Sequence, residues 1–117
     1  MSMQFSGSLK QNHLFHRLYR KGKSCANSYL VLYTRPNGTG RNRIGLTVSA
    51  KLGCAVKRNR VRRRLREIYR LNEGKFLPGS DVVVVARSRA VDAPYEKLEH
   101  AYLTLAAKVG LLREETA

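Results

Sequence analysis

The chain is 117 residues long and 43% hydrophobic, with 23 lysines and arginines against eight acids, a formal net charge of +15 and a pI near 10.6. That length bounds one domain with one modest core, and that charge makes a polyanion the expected partner: RNA, DNA or an anionic membrane surface. No run approaches the ~18 apolar residues of a membrane span, and the N-terminus lacks the apolar core of a secretory signal, so a cytoplasmic protein with no membrane partner is expected.

Residues 1–8 are polar and read as a flexible arm. Residues 9–20 carry Leu14, Phe15, Leu18 and Tyr19 at spacings of three and four, which predicts a short helix with Asn12 as its cap and Gly22 after its end. From Ser24 to Thr34 the pattern turns extended: Tyr29, Val31 and Tyr33 fall on one face of a strand, Leu30 and Leu32 on the other. A turn cluster over 35–42 and a strand over Arg43–Ser49 predict an antiparallel hairpin with it. A Gly-containing loop over Lys51–Ala55 leads into a basic helix. A connector with Gly74, Pro78 and Gly79 then precedes Asp81–Arg87, whose four consecutive valines predict burial on both faces and a central strand. Pro94 opens a last helix with an apolar face of Leu98, Ala101, Tyr102, Leu105, Ala106 and Val109. Gly110 is expected to begin its fraying, and Arg113–Ala117 reads as a polar tail. Cys25 and Cys54 match no metal spacing and read as reduced, core-filling residues.

The basic helix stands apart. Between Lys57 and Arg70 there are eight basic residues and one acid, Glu67, and every cation but Lys57 is arginine. On a helical wheel Val61, Leu65, Ile68 and Tyr69 share one sector, while Asn59, Arg60, Arg62, Arg63, Arg66 and Arg70 point away. A helix docked by such a stripe holds its guanidinium groups in a fixed array, and each is a planar fork suited to two phosphate oxygens. The overall reading is an α+β two-layer sandwich in the order helix, strands, helix, strand, helix, with a small mixed sheet of about four strands. The crossover from the Arg43 strand through the arginine helix to the valine strand joins parallel strands, and the general rule makes it right-handed.

The segment KLGCAVKRNRVRRRLRE, with Lys51, Gly53-Cys54-Ala55-Val56 and Arg58-Asn59-Arg60, resembles the signature of the protein subunit of bacterial ribonuclease P. The likeness extends to FHRLYRKGKS, YLVLYT, RIGLTVS and VVVVAR, and so covers most of residues 9–112. It implies one RNA-binding domain over residues 1–117, a fold like the second domain of ribosomal protein S5, and a left-handed crossover around the arginine helix, against the general rule. It implies a cytoplasmic ribonucleoprotein in which a catalytic RNA removes the 5′ leader of precursor tRNA and holds the magnesium ions. The protein would bind the leader, strengthen substrate and metal affinity, and carry neither a catalytic residue nor a metal of its own. By position, Lys51, Arg58, Asn59, Arg60, Arg62, Arg63 and Arg66 would face the catalytic RNA. Ala50 departs from the pattern, since a second cation is common there. Phe15, Tyr19, Val31 and Tyr33 match the leader-binding cleft, and aromatic faces that stack bases regardless of sequence suit a leader that varies.

Other classes are weaker. Glu96 and Glu99 share a helix face but look solvated, and no carboxylate pair has a nuclease context. His13 and His16 lie three apart without a third ligand, and His100 stands alone. A ribosomal-type RNA binder would share the charge without needing the cleft. A DNA-binding module could place the helix in a major groove.

Overall fold

The structure, a computed structural model, describes residues 6–8 and 12–113, with side chains from residue 17 onward. One mixed sheet contains β1 (Ser6–Ser8), β2 (Lys23–Ala26), β3 (Leu30–Pro36), β4 (Asn42–Thr47) and β5 (Ser80–Ala86), in the order β1-β4-β5-β3-β2. Three helices accompany it: α1 (Asn12–Lys21), α2 (Ala55–Asn72) and α3 (Tyr95–Lys108). The expected four strands are joined by a three-residue edge strand. Ser6–Ser8, read as part of an arm, pairs in parallel with Asn42–Ile44. Residues 1–5, 9–11 and 114–117, and the Asn12 side chain proposed as a cap, lie outside what is described.

The valine strand takes the centre, as its composition demands. Val82, Val83 and Val84 are fully buried. Their alternation sends Val82 and Val84 into the main core with Leu30, Leu32, Ile44, Val61, Leu65, Leu98 and Leu105. Val83 goes to the opposite face, where Leu18 of α1 covers it. So α2 and α3 lie on one face of the sheet and α1 on the other.

The predicted β3–β4 hairpin does not form as a pair. β5 inserts between them, antiparallel to β3 and parallel to β4. The reason is burial: an edge position would leave one side of the most apolar strand in water. Its entry is fixed by polar contacts that periodicity does not reveal. Asp81 accepts a two-pronged ion pair from Arg43, Nε to Oδ1 and Nη2 to Oδ2, both at 2.6 Å. The Asp81 carboxylate also accepts from Asn37 Nδ2, and its backbone oxygen from Thr34 Oγ1.

Other departures have local causes. The Ser24–Thr34 stretch is split into the β2–β3 hairpin, because Asn27 Oδ1 accepts the backbone N–H groups of Tyr29 and Leu30 and so builds a turn. Tyr29 thereby leaves the face of Val31 and Tyr33. It packs against the main core with the Arg89 guanidinium 5.4 Å from its ring centroid. Gly22 does not adopt a left-handed conformation; a Cβ there would sit 2.7 Å from the backbone oxygens of Leu18 and Thr34. Gly110 closes α3 rather than fraying it. At φ 79° it lets Leu111 N–H reach Ala106 O and its own N–H reach Ala107 O. Arg113 is likewise pinned, with its N–H donating to Lys75 O and its Nε to Gly74 O. Pro94 precedes the first turn of α3 as its cap residue.

Asn42 is the buried polar junction. Its Nδ2 donates to Leu77 O (3.0 Å) and Tyr69 OH (3.3 Å), and its Oδ1 accepts from Ser80 N (2.8 Å), joining β4, α2 and the entry to β5. Removing it breaks three hydrogen bonds made by one buried side chain. Asn42→Ala is therefore expected to lower stability by about 1–3 kcal/mol, read as a fall in the urea midpoint at unchanged slope.

Candidate RNA-binding surfaces

The arginine helix is docked by the stripe its sequence announces: Val61, Leu65, Ile68 and Tyr69 are each at most 1% exposed. Burying four such side chains is worth roughly 1.5–3 kcal/mol each, whereas each like-charge pair at i, i+4 on its surface costs only about 0.2–0.5 kcal/mol. Burial therefore wins, and the helix holds its charges on a rigid rod.

A 3₁₀ turn over Ala50–Leu52 leads in, with Ser49 Oγ accepting Lys51 N–H. Gly53, at φ 135°, makes the bend before α2. Lys51 is exposed beside it. Cys54 occupies the N-cap position and is exposed, not core-filling. Its thiol faces the Lys57 backbone N–H, which draws its pKa below the ordinary thiol value. Cys25 is half-buried against α3 and donates weakly to Leu105 O. Burial pushes its thiol pKa up, with Lys108 opposing.

The arginines of α2 divide into two groups. Four have internal acceptors. Arg58 Nε donates to Gly53 O (3.1 Å), Arg62 Nη1 to Asn59 Oδ1 (2.9 Å), Arg64 Nη1 to Ala93 O (2.9 Å), and Arg70 forks onto Glu67. Arg70, read as pointing into solvent, is thus half-buried in an ion pair. Arg64 ties α2 to the segment before α3. Arg60, Arg63 and Arg66 are exposed and, among the described residues, have no acceptor. With Asn59 they cover the side of α2 turned away from the core.

The opposite face of the sheet carries the second expected surface. Val31, Val85 and Thr47 lie side by side across β3, β5 and β4, and all three are partly exposed. Val85, predicted as buried with the other valines, is left half-open because α1 covers only part of this face. Tyr33 lies next along β3. Tyr19, 40% exposed, meets it edge-on, with ring centroids 4.8 Å apart and planes at 69°. The side chains of Phe15, His13 and His16 lie outside the described residues. Tyr19, Val31 and Tyr33 are thus brought together, while the α2 residues form a separate group on the other side of the sheet. Thr47 and Val85 were missed as members of the aromatic surface, since only strand order makes them neighbours of Val31.

Elsewhere, a shallow depression between the β2–β3 turn and α3 is lined by Asn27, Tyr29, Lys97 and His100 among others; it shares no residue with either surface. Glu99, read as solvated, is half-buried and accepts from Asn72 Nδ2. Among the described residues no three His, Cys, Asp or Glu gather as a metal site, and no helix is long and apolar enough to cross a membrane. The charge is also unevenly placed. Residues 1–66 hold sixteen of the cations and no acid, and all eight acids begin at Glu67.

Fold and surfaces together define a small basic α+β protein with a fixed arginine face and a separate open aromatic face. The family model for ribonuclease P matches residues 3–110. The chain is 44% identical over 110 residues to the ribonuclease P protein component of Alkaliphilus oremlandii, covering 94% of this chain and 96% of that one. The ribonuclease P protein component of Alkaliphilus metalliredigens is equally similar, at 44% over 94% and 99% of the two chains. Among solved structures, the RNase P protein of Staphylococcus aureus superposes with a TM-score of 0.85 at 32% identity, covering 92% of this chain and 99% of that one. That of Thermotoga maritima gives 0.77 at 32%, over 83% and 92%. The chain belongs to the ribonuclease P protein family.

The two groups of arginines should separate in stability measurements. Arg64→Ala is expected to destabilise by about 1 kcal/mol, through loss of the bond to Ala93 O. Arg63→Ala and Arg66→Ala should stay within about 0.5 kcal/mol of the parent or exceed it, because they relieve like-charge pairs. Thermal denaturation of the three single variants at low salt checks this.

Proposed function

We propose that the chain is the RNA-binding subunit of ribonuclease P, that a catalytic RNA hydrolyses the phosphodiester bond joining leader to tRNA, and that the protein holds both that RNA and the leader. The observation that carries this reading is the row of exposed guanidinium groups, Arg60, Arg63 and Arg66, on a helix fixed by a buried stripe and, among the described residues, without internal acceptors. A phosphate backbone supplies the acceptors such a row lacks and relieves its self-repulsion. Lys51, Arg58, Asn59 and Arg62 extend the same surface around the start of α2. Arg58 and Arg62 already donate one bond each to neighbouring groups of the chain, which sets their orientation before RNA arrives.

The leader is assigned to the other face, over Tyr19, Val31 and Tyr33 with Phe15 of α1. A single strand stacks its bases on aromatic rings at roughly 1–3 kcal/mol per base, whatever its sequence. The magnesium ions of the hydrolysis are assigned to the RNA. The protein strengthens their affinity indirectly, by neutralising phosphates and holding the substrate, as a soluble cytoplasmic partner of RNA.

The deciding experiment is cleavage of precursor tRNA at low magnesium by a bacterial ribonuclease P RNA alone, by the protein alone, and by both. Efficient cleavage by the mixture only is expected. Cleavage by the protein alone would move the chemistry to the protein, and no effect of the protein on the RNA would favour a ribosomal-type binder. A second expectation concerns the arginine face. Arg62→Ala with Arg66→Ala should flatten the salt dependence of RNA binding by about 0.7 in log–log slope for each phosphate that is no longer neutralised. An unchanged slope removes phosphate from this face.

A further inference from the structure

Tyr19 is held at two points on the sheet. Its ring meets Tyr33 of β3, and its hydroxyl lies 3.2 Å from Thr47 Oγ1 at the end of β4. β5 runs between those strands, and Thr47 lies two residues beyond Gly45, the residue level with Tyr33, so Tyr33 and Thr47 are separated by about 12 Å. The Tyr19 side chain therefore reaches across β5, bordering the open row of Val31, Val85 and Thr47.

We propose that Thr47 is a positioning residue of the leader cleft. Its hydroxyl fixes the Tyr19 phenol, and with it the angle between the two aromatic rings, before a strand arrives. The inference deepens the leader-binding reading and rests on it. The use of a tether follows from how short α1 is. It has ten residues, shorter than the ~12–15 at which even good isolated helices become stable. Among its described side chains the fully buried one is Leu18, set against Val83. A surface aromatic on such a helix can change rotamer. A phenylalanine at position 19 could stack but could not be tied. The tyrosine hydroxyl is tied to a residue on the far side of the central strand.

Losing one such hydrogen bond, or having to order one side chain on binding, each weakens affinity by about three- to tenfold. The experiment measures binding of two ligands to the full-length protein assembled with a bacterial ribonuclease P RNA. One is a precursor tRNA with a single-stranded leader of about ten nucleotides, within the usual reach of one such domain; the other is the mature tRNA. Thr47→Val keeps the β-branched shape and removes only the hydroxyl. It is expected to weaken precursor binding three- to tenfold and leave mature tRNA binding unchanged. Thr47→Ser should restore precursor binding. Thr47→Val made in a Tyr19→Phe background should cost less than it does in the parent, since the two variants share that bond.

Unchanged precursor binding in Thr47→Val, an equal loss for mature tRNA, or additive losses in the double variant would each overturn the positioning role. Tyr33→Ala in the same assay separates this from the reading beneath it. A loss confined to the precursor upholds the leader cleft even where Thr47 fails. An equal loss for both ligands removes the cleft itself.

Discussion

A strand that is apolar on both sides must be covered on both sides, and β5 imposes that condition on the rest of the chain. Val82 and Val84 require the α2–α3 layer; Val83 requires α1. Because α2 is also the link between the parallel strands β4 and β5, the arginine-rich segment has to lie along the sheet with one side buried. The two surfaces assigned to RNA are consequences of this arrangement. The arginine face is the outer side of one covering layer, and the aromatic face is what the other, incomplete layer leaves open. The half-exposure of Val85, unlike its three neighbours, marks where that layer stops.

The polar groups around β5 decide its register as the valines decide its place. The Arg43–Asp81 fork joins residues directly opposite in the β4–β5 ladder. Thr34 Oγ1 and Asn37 Nδ2 reach the same aspartate from β3 and the turn beyond it. A one-residue slip would break all of these and turn the valines to the wrong faces. Asn42 performs the corresponding task at the other junction, between the sheet and the C-terminal half of α2. In a chain of +15 formal charge, such internally satisfied junctions matter, because diffuse electrostatics oppose compaction.

Within α2, residues of one type differ in whether the protein itself supplies their acceptor. Arg58, Arg62, Arg64 and Arg70 are each held by an acceptor in the protein, and Arg64 in particular joins α2 to the approach to α3. Arg60, Arg63 and Arg66 have none among the described residues. Helical periodicity separates the buried stripe from everything else, because that stripe follows from 100° per residue alone. It cannot separate Arg64 from Arg63, since the acceptor for Arg64 is a carbonyl twenty-nine residues away. The same limit applies to Cys54. Its composition suggests a core residue, but it caps a helix whose start faces solvent.

The sequence by itself determined the helices, the central position of the valine strand, the buried stripe of α2 and the family, because each rests on a short-range period or on a contiguous motif. Tertiary structure alone decided that β5 separates β3 from β4, that Ser6–Ser8 forms an edge strand, that Tyr29 turns away from Val31, and that Thr47 lies beside Val85 within reach of Tyr19. These depend on which strands become neighbours. Local propensity is indifferent to that choice. It is settled by burying the most apolar strand on both faces and by pairing the few buried polar groups across distant parts of the chain.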